Sequence, residues 1–335
     1  MINKTKMNKL SIYTLKALRK IYAKVFSVQP SPAPECIHDT DAASKLIYEK
    51  LMSDESCMIA RFGSTELMTL VNYFGVHQKK QKNVFNYIQG KRLDWWWNQS
   101  ALQQMQRWSG FFPLTVEKVE QFCELMMEDM TELDILGSWL SNENYVKENF
   151  KSTKLVQLHL LDPYFVEESW TKALKGKRVL VIHPFAELIE HQYSENRTKL
   201  FKNPNILPLF NLQTVKAVQS LGGESNDFKD WFEALDWMKN EIDKKDYDIA
   251  IIGCGAYGFP LAAYVKRRGK KVIHLGGEVQ ILFGIRGKRW EDPNLLTDLG
   301  VQFGFHLSMM NEYWVRPTDN LKPKNANQVE GACYW

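Results

Sequence analysis

The sequence predicts an α/β fold built on a mostly parallel sheet, and two observations carry that expectation. In the second half of the chain, short apolar runs of strand length alternate with amphipathic stretches of helical period, joined by short connections. Between one such run and the next helix stands a complete G-x-G-x-x-G, at Gly253, Gly255 and Gly258. Helix, strand, turn, helix and strand joined this tightly require a right-handed parallel crossover. Composition agrees: of 335 residues, 44% are hydrophobic and 24% charged, the balance of a globular protein with a large core. The five cysteines (Cys36, Cys57, Cys123, Cys254, Cys333) are odd in number and form no C-x-x-C. They fit a reducing cytoplasm better than a disulfide framework or a zinc site. No window approaches the ~20 apolar residues of a spanning helix, and the N-terminus lacks the unbroken apolar core of a signal peptide. The expected location is cytoplasmic, with a peripheral place on the inner face of the cytoplasmic membrane as an option.

Residues 1–28 read as a basic amphipathic helix. The first 26 carry seven Lys/Arg and no acid, with Leu10, Leu18, Ile21 and Val25 at helical spacing. Such a helix either lies on an anionic membrane surface or packs on the body with a solvated basic face. A proline-rich linker, "QPSPAPE" (29–35), separates it from the body, 36–317. The body opens with a helix capped by Thr40 or Asp41. Cys57 to Ala60 follow as a strand, which Gly63 breaks before a helix capped by Ser64 or Thr65, with Glu66 in its first turn. Arg61 at that strand end and Glu66 just beyond occupy the place where open α/β sheets bind ligands.

From 83 to 150 the chain is aromatic-rich and reads as a helical insertion or lid. Trp95, Trp96 and Trp97 cannot share one helix face, so one is expected to cover a groove unless all three pack in the core. Val179 to Ile182 make the next strand, ending in His183 and Pro184 with Glu187 a turn later. A long polar loop, "SENRTKLFKNPNILPLFNL", and a helix, "QTVKAVQSLGG", are expected next. After the helix "DWFEALDWMKNEIDKKD" come the strand "YDIAIIG", the glycine turn, the helix "FPLAAYVKRRG" and the strand "KKVIHLGG". Residues 318–335 read as a loosely attached tail.

In the glycine turn, Gly253 permits the tight bend, Gly255 lets a phosphate approach the backbone, and Tyr257 and Gly258 open a helix whose N–H groups face an anion. Tight helix–strand packing alone is the bland alternative. A dinucleotide site also needs an acid about 20 residues on, at the end of the next strand. That place reads "VIHLGG", and the first acid is Glu278, after Gly276 and Gly277. From Lys266 to Arg289 there are eight Lys/Arg against one acid. A solvated helix face explains Lys266, Arg267 and Arg268. Arg286, Lys288 and Arg289, framed by glycines and Trp290, point to a ligand with more than one phosphate. Nucleic acid is not expected, because no basic–aromatic stripe follows a helix.

"MIARFGSTEL" resembles the Arg-Phe-Gly-Asp-Gly-Glu signature of the GT-D type glycosyltransferases, and "IIGCGAYGFPLAAYVKRRGKKVIHLGG" is similar to that group's later strand, glycine turn, helix and strand. "VIHPFAELIEHQY" and "VQILFGIRGKRW" look like proteins of bacterial surface-polysaccharide synthesis. The resemblance implies a Rossmann-like fold that moves a sugar from a nucleoside-diphosphate donor to a glycan or lipid-linked acceptor. It implies a donor site made by Arg61, Gly63, Ser64, the glycine turn, Gly276, Gly277, Glu278 and the Arg286–Lys288–Arg289 cluster. Glu66 is the one motif acid retained. Ser64 stands where the family has the first of its acids, so Mg or Mn dependence is open and the basic cluster becomes a candidate to neutralise the leaving diphosphate. Glu66, or His183 oriented by Glu187, are the candidate catalytic groups. A non-catalytic partner of a polysaccharide assembly complex, an NAD oxidoreductase and a methyltransferase are the alternatives.

Overall fold

The computed structural model describes residues 7–78, 82–220, 227–318, 321–322, 326–328 and 331–335. Its strands are β1 (Cys57–Arg61), β2 (Ile135–Ser138), β3 (Lys154–Gln157), β4 (Arg178–His183), β5 (Asn211–Lys216), β6 (Ile249–Ile252) and β7 (Lys271–His274). They form one sheet in the order β3-β2-β1-β7-β6-β4-β5, and every ladder is parallel. Among the described residues the helices are α1 (Lys9–Val25), α2 (Thr40–Met52), α3 (Ser64–His77), α4 (Val84–Ile88), α5 (Gln99–Arg107), α6 (Val116–Asp129), α7 (Ala186–Leu200), α8 (Trp231–Asp243), α9 (Gly258–Arg267), α10 (Glu278–Leu282) and α11 (Phe305–Met309). The fold is α/β and Rossmann-like, as the sequence predicts.

The central strands are apolar on both faces because helices cover both. Alternate residues divide into two cores: Met58, Ala60, Ile182, Ile252 and Val272 pack with α3, α6, α8 and α9. Ile59, Val179, Val181, Ile251 and Ile273 pack with α2, α7 and α10. Where β4 and β6 pair, α7 leads outward to β5 and α9 leads back to β7 on the opposite face. Such a reversal leaves a crevice beyond the carboxyl ends of the strands.

Several sequence expectations change. Segment 83–150 is not only a helical insertion, since it contributes β2, which sits between β1 and β3. Four residues, "ILGS", are too short to announce a strand beside a strongly helical α6. "QTVKAVQSLGG" begins as β5 rather than as a helix. Six consecutive residue pairs with β4 outweigh its local helical spacing, and its last three residues lie outside the described ones. The long polar loop is shorter than expected, because α7 continues to Leu200. Gln192 of α7 anchors it by donating from Nε2 to the carbonyls of Gly284 (3.2 Å) and Tyr313 (3.0 Å).

The three tryptophans are not helical: Trp96 is buried and its neighbours half-buried, with Trp95 and Trp96 against Tyr87 and Trp97 against Tyr73, so the core use prevails. The described residues of 318–335 are not loose either. Ala326, Ala332, Cys333 and Trp335 are buried, and Gln280 donates to the Tyr334 carbonyl at 2.8 Å.

Arg178, at the start of β4, sets the register against β6 by gripping Asp248 through its backbone N–H (2.9 Å), Nε (3.3 Å) and Nη2 (2.6 Å). Led by the Arg178 side chain, these bonds hold the Asp248 carboxyl down to about 2. A depressed carboxylate stabilises the fold above its ordinary pKa of about 4 and loses that effect as the pH falls through its folded value. Both side chains are more than a third exposed, so screening limits the gain. Asp248→Asn is expected to cost about 0.5–1 kcal/mol at pH 7, and urea denaturation should show the gap closing between pH 4 and 2.

Candidate functional site

A cavity opens at the carboxyl ends of β1, β4, β6 and β7, with Arg61, His183, Gly253 and His274 on its wall. The glycine turn forms its floor, and its three glycines do different things. A Cβ on Gly253 would lie 2.4 Å from the Gly276 carbonyl, so this glycine lets two strand-end turns touch. A Cβ on Gly258 would lie 2.2 Å from Cε1 of His274, so this one seats the imidazole against α9. Gly255 alone has φ +58 with nothing within 4 Å of a Cβ. It bends the backbone toward open cavity, where a ligand can approach. Gly253 and Gly255 line the cavity and Gly258 lies behind it.

Besides Arg289, the wall carries a less exposed arginine, Arg61. Its guanidinium lies over the Trp139 ring, 5.3 Å from the centroid, and its Nη1 packs where a Cβ on Gly276 would come within 2.8 Å. Gly276 is further required by its φ of +64. Burial pulls the Arg61 pKa below its ordinary value, and the Arg289 charge adds to this against the pull of Tyr334, Glu66 and Asp162. Its Nε is buried without a hydrogen-bond partner. Among the described residues no carboxylate stands within ion-pair distance of it. Beneath it, burial pushes Asp162 and Glu278 upward, and Glu278 turns to Trp290, which donates to Oε1 at 2.6 Å. Glu278 therefore does not line the cavity, and the acid that a ribose would need is not at the end of β7.

The two histidines are opposite tautomers. The Phe185 N–H donates to Nδ1 of His183 at 3.0 Å, so the hydrogen of that ring is on Nε2. Nδ1 of His274 donates to the Ile252 carbonyl at 3.1 Å, which leaves its Nε2 as an acceptor. Burial lowers both pKa values to about 3, Arg61 also acting on His274, so both rings are neutral near pH 7. The cavity thus has one neutral donor and one neutral acceptor on strands either side of β6. Glu187 takes no part: it is exposed, pairs with Lys216 at 3.0 Å, and the His183 tautomer is set by the backbone instead.

Of the expected basic cluster, only Arg289 lines the cavity. Arg286 is bound to Glu291 at 2.9 Å, and Lys288 is exposed off the wall. The α9 basic residues are held by acids at its far end, Lys266 by Asp134 at 2.8 Å and Arg267 by Asp129 at 2.6 Å. Gly63, Ser64, Glu66, Tyr257, Gly276 and Gly277 are all on the wall. Glu66 folds back so closely that a Cβ on Gly63 would lie 1.8 Å from its Oε2.

Sequence reading missed the aromatic walls. Trp139 follows β2 and donates to the Phe62 carbonyl at 3.2 Å. Buried Glu143 fixes that loop by accepting from the Trp139 and Leu140 N–H groups at 3.0 and 2.9 Å and from the Ser138 hydroxyl. Tyr334 and Trp335 close another side, Trp335 meeting Phe185 edge-on at 5.9 Å. The only hint was the aromatic ending "CYW" in an otherwise polar tail. Glu66 is the one carboxylate on the wall, and among the described residues no three His, Cys, Asp or Glu side chains gather to hold a metal ion. A Mg²⁺ or Mn²⁺ ion at this wall would have Glu66 as its carboxylate. Compared with models of protein families, with curated proteins and with solved structures, the chain matches none of them.

Gly258→Ala is expected to cost about 1–3 kcal/mol by overpacking against His274. Gly255→Ala costs only the left-handed backbone, about 1 kcal/mol, and urea denaturation separates the two. The His183 and His274 Cε1–H resonances should not titrate between pH 5 and 8. Because their folded pKa lies below the unfolded value of about 6.5, they contribute stability above pH 6.5 that is lost as the pH falls toward 3.

Proposed function

We propose that the cavity binds a nucleoside-diphosphate sugar and transfers the sugar to a hydroxyl of a glycan or lipid-linked acceptor in bacterial cell-surface polysaccharide synthesis. The observation that carries this reading is Arg61, a desolvated guanidinium without an ion-pair partner, facing Arg289 and the open Gly255 backbone across one cavity. A half-buried cation left without a carboxylate partner favours an anionic ligand, and two arginines suit a diphosphate. The resemblance of "MIARFGSTEL" to the GT-D signature adds the reaction class. The acceptor glycan and the cytoplasmic location rest on that resemblance and on the cysteine content.

In this reading the acceptor hydroxyl gives its proton to Glu66 as its oxygen bonds to the anomeric carbon. The bond from that carbon to the diphosphate oxygen breaks, and its electron pair leaves with the diphosphate. Arg61 and Arg289 stabilise that charge in a site of low dielectric. The neutral His183 Nε2–H donates to a phosphate or sugar oxygen without adding charge, and His274 Nε2 accepts from a hydroxyl. Trp139 and Trp335 offer faces for the base or the sugar ring.

Thermal shift with UDP, GDP, CDP, CMP, NAD⁺ and S-adenosylmethionine, each with Mn²⁺ or EDTA, tests this. One nucleoside diphosphate is expected to stabilise the fold by ~2.7 kcal/mol at 100 times its dissociation constant. Arg61→Ala and Arg289→Ala should each weaken its binding roughly 10- to 100-fold. Glu66→Gln should keep the binding and lose turnover. A response to NAD⁺ or S-adenosylmethionine alone overturns the proposal.

A further inference from the structure

Helix α1 packs on the body with the less apolar of its faces. Its half-buried side is Ile12, Leu15, Lys16, Arg19, Tyr22 and Ala23. Polar clamps hold it: Arg19 donates to the Arg92 carbonyl at 3.2 Å and lies 4.9 Å from the Tyr87 ring centroid, and Lys16 stands 3.9 Å from Asp94. The opposite side is a stripe at the three-and-four spacing of one helix face: Leu10, Tyr13, Ala17, Ile21 and Val25. It faces outward, with Leu10 71%, Tyr13 69%, Ile21 58% and Val25 68% exposed. Lys9, Lys20 and Lys24 run along its edge, exposed, and no acid occurs before Glu35.

We propose that this face of α1 is a docking surface for an anionic lipid bilayer. An apolar stripe bordered by lysines matches the interface of such a membrane, with the aliphatic side chains entering the acyl boundary and the ammonium groups meeting phosphate headgroups. A second copy of the helix is a poorer occupant. Two such stripes in contact would bring Lys9, Lys20 and Lys24 of each copy together with no carboxylate on either helix to pair with them. Because the clamps fix the opposite face, the stripe can meet a surface without unpacking from the body. The exposed stretch from Ser27 to Pro32 joins this helix to the body.

Vesicle flotation of the full chain tests this without any nucleotide, so its outcome is independent of the transferase reading. Vesicles of phosphatidylcholine alone are compared with vesicles holding about a third phosphatidylglycerol. The chain is expected to float with the anionic vesicles, less so at high salt, and not with the neutral ones. Ile21→Asp with Val25→Asp, and separately Lys20→Glu with Lys24→Glu, should each lower the partition at least about tenfold. Far-UV circular dichroism and melting temperature should stay unchanged, since these side chains are exposed. Equal binding to both vesicle types, or variants that bind like the wild type, would overturn the proposal. So would a dimer dissolved by the Ile21/Val25 variant in a chain that ignores vesicles, which would assign the stripe to self-association.

Discussion

The site depends on the contact of two turns at the ends of neighbouring strands. Gly253 after β6 lets the Gly276 carbonyl after β7 approach to a distance that no side chain would allow, and Gly258 does the same for the His274 ring. These approaches bring Gly255 to the cavity floor and place Gly276 under Arg61. Close packing of backbone against backbone leaves little room to relax. The geometry of the floor is therefore set before any ligand arrives.

On that floor stands a cation whose environment disfavours it. Arg61 is desolvated, and the nearby carboxyls Asp162 and Glu278 are pushed by burial toward their neutral forms. The protein thus leaves the positive charge largely uncompensated, as a site for a multiply charged anion would. The histidines follow the same logic in reverse. They are neutral and of opposite tautomers, so they offer direction without charge. Glu66, half-buried, is the one acid on the cavity wall among the described residues.

Support for this arrangement comes both from within one loop and from elements far apart in the chain. Glu143 holds the Trp139 loop through three donors, and the Tyr257 hydroxyl is tied to Ser220 at 2.9 Å while its ring stacks on Trp231. Arg178 ties β4 to β6 at their amino ends. The Glu143 bonds are local to the loop they fix, whereas the Ser220–Tyr257 and Arg178–Asp248 bonds join residues far apart in the chain.

The sequence by itself determined the parts of this protein that rest on local pattern. The β1–turn–α3 junction, the strand–glycine turn–helix–strand unit and the basic first helix are all legible, because period and turn chemistry act over a few residues. Arg61, Glu66, His183 and Gly255 could be singled out for the same reason. Only the tertiary structure decided what required distant partners. β2 and β5 exist through pairing with β1, β3 and β4 rather than through their own pattern. Arg286 is neutralised by Glu291 while Arg289 reaches the cavity, although the two are three residues apart. The tail supplies Tyr334 and Trp335 to the site because Gln280, Gly277 and Phe185 receive them. Which face of α1 turned outward was decided by Arg19 and Lys16 finding partners on the body, a choice made by side-chain contacts that no spacing along the chain encodes.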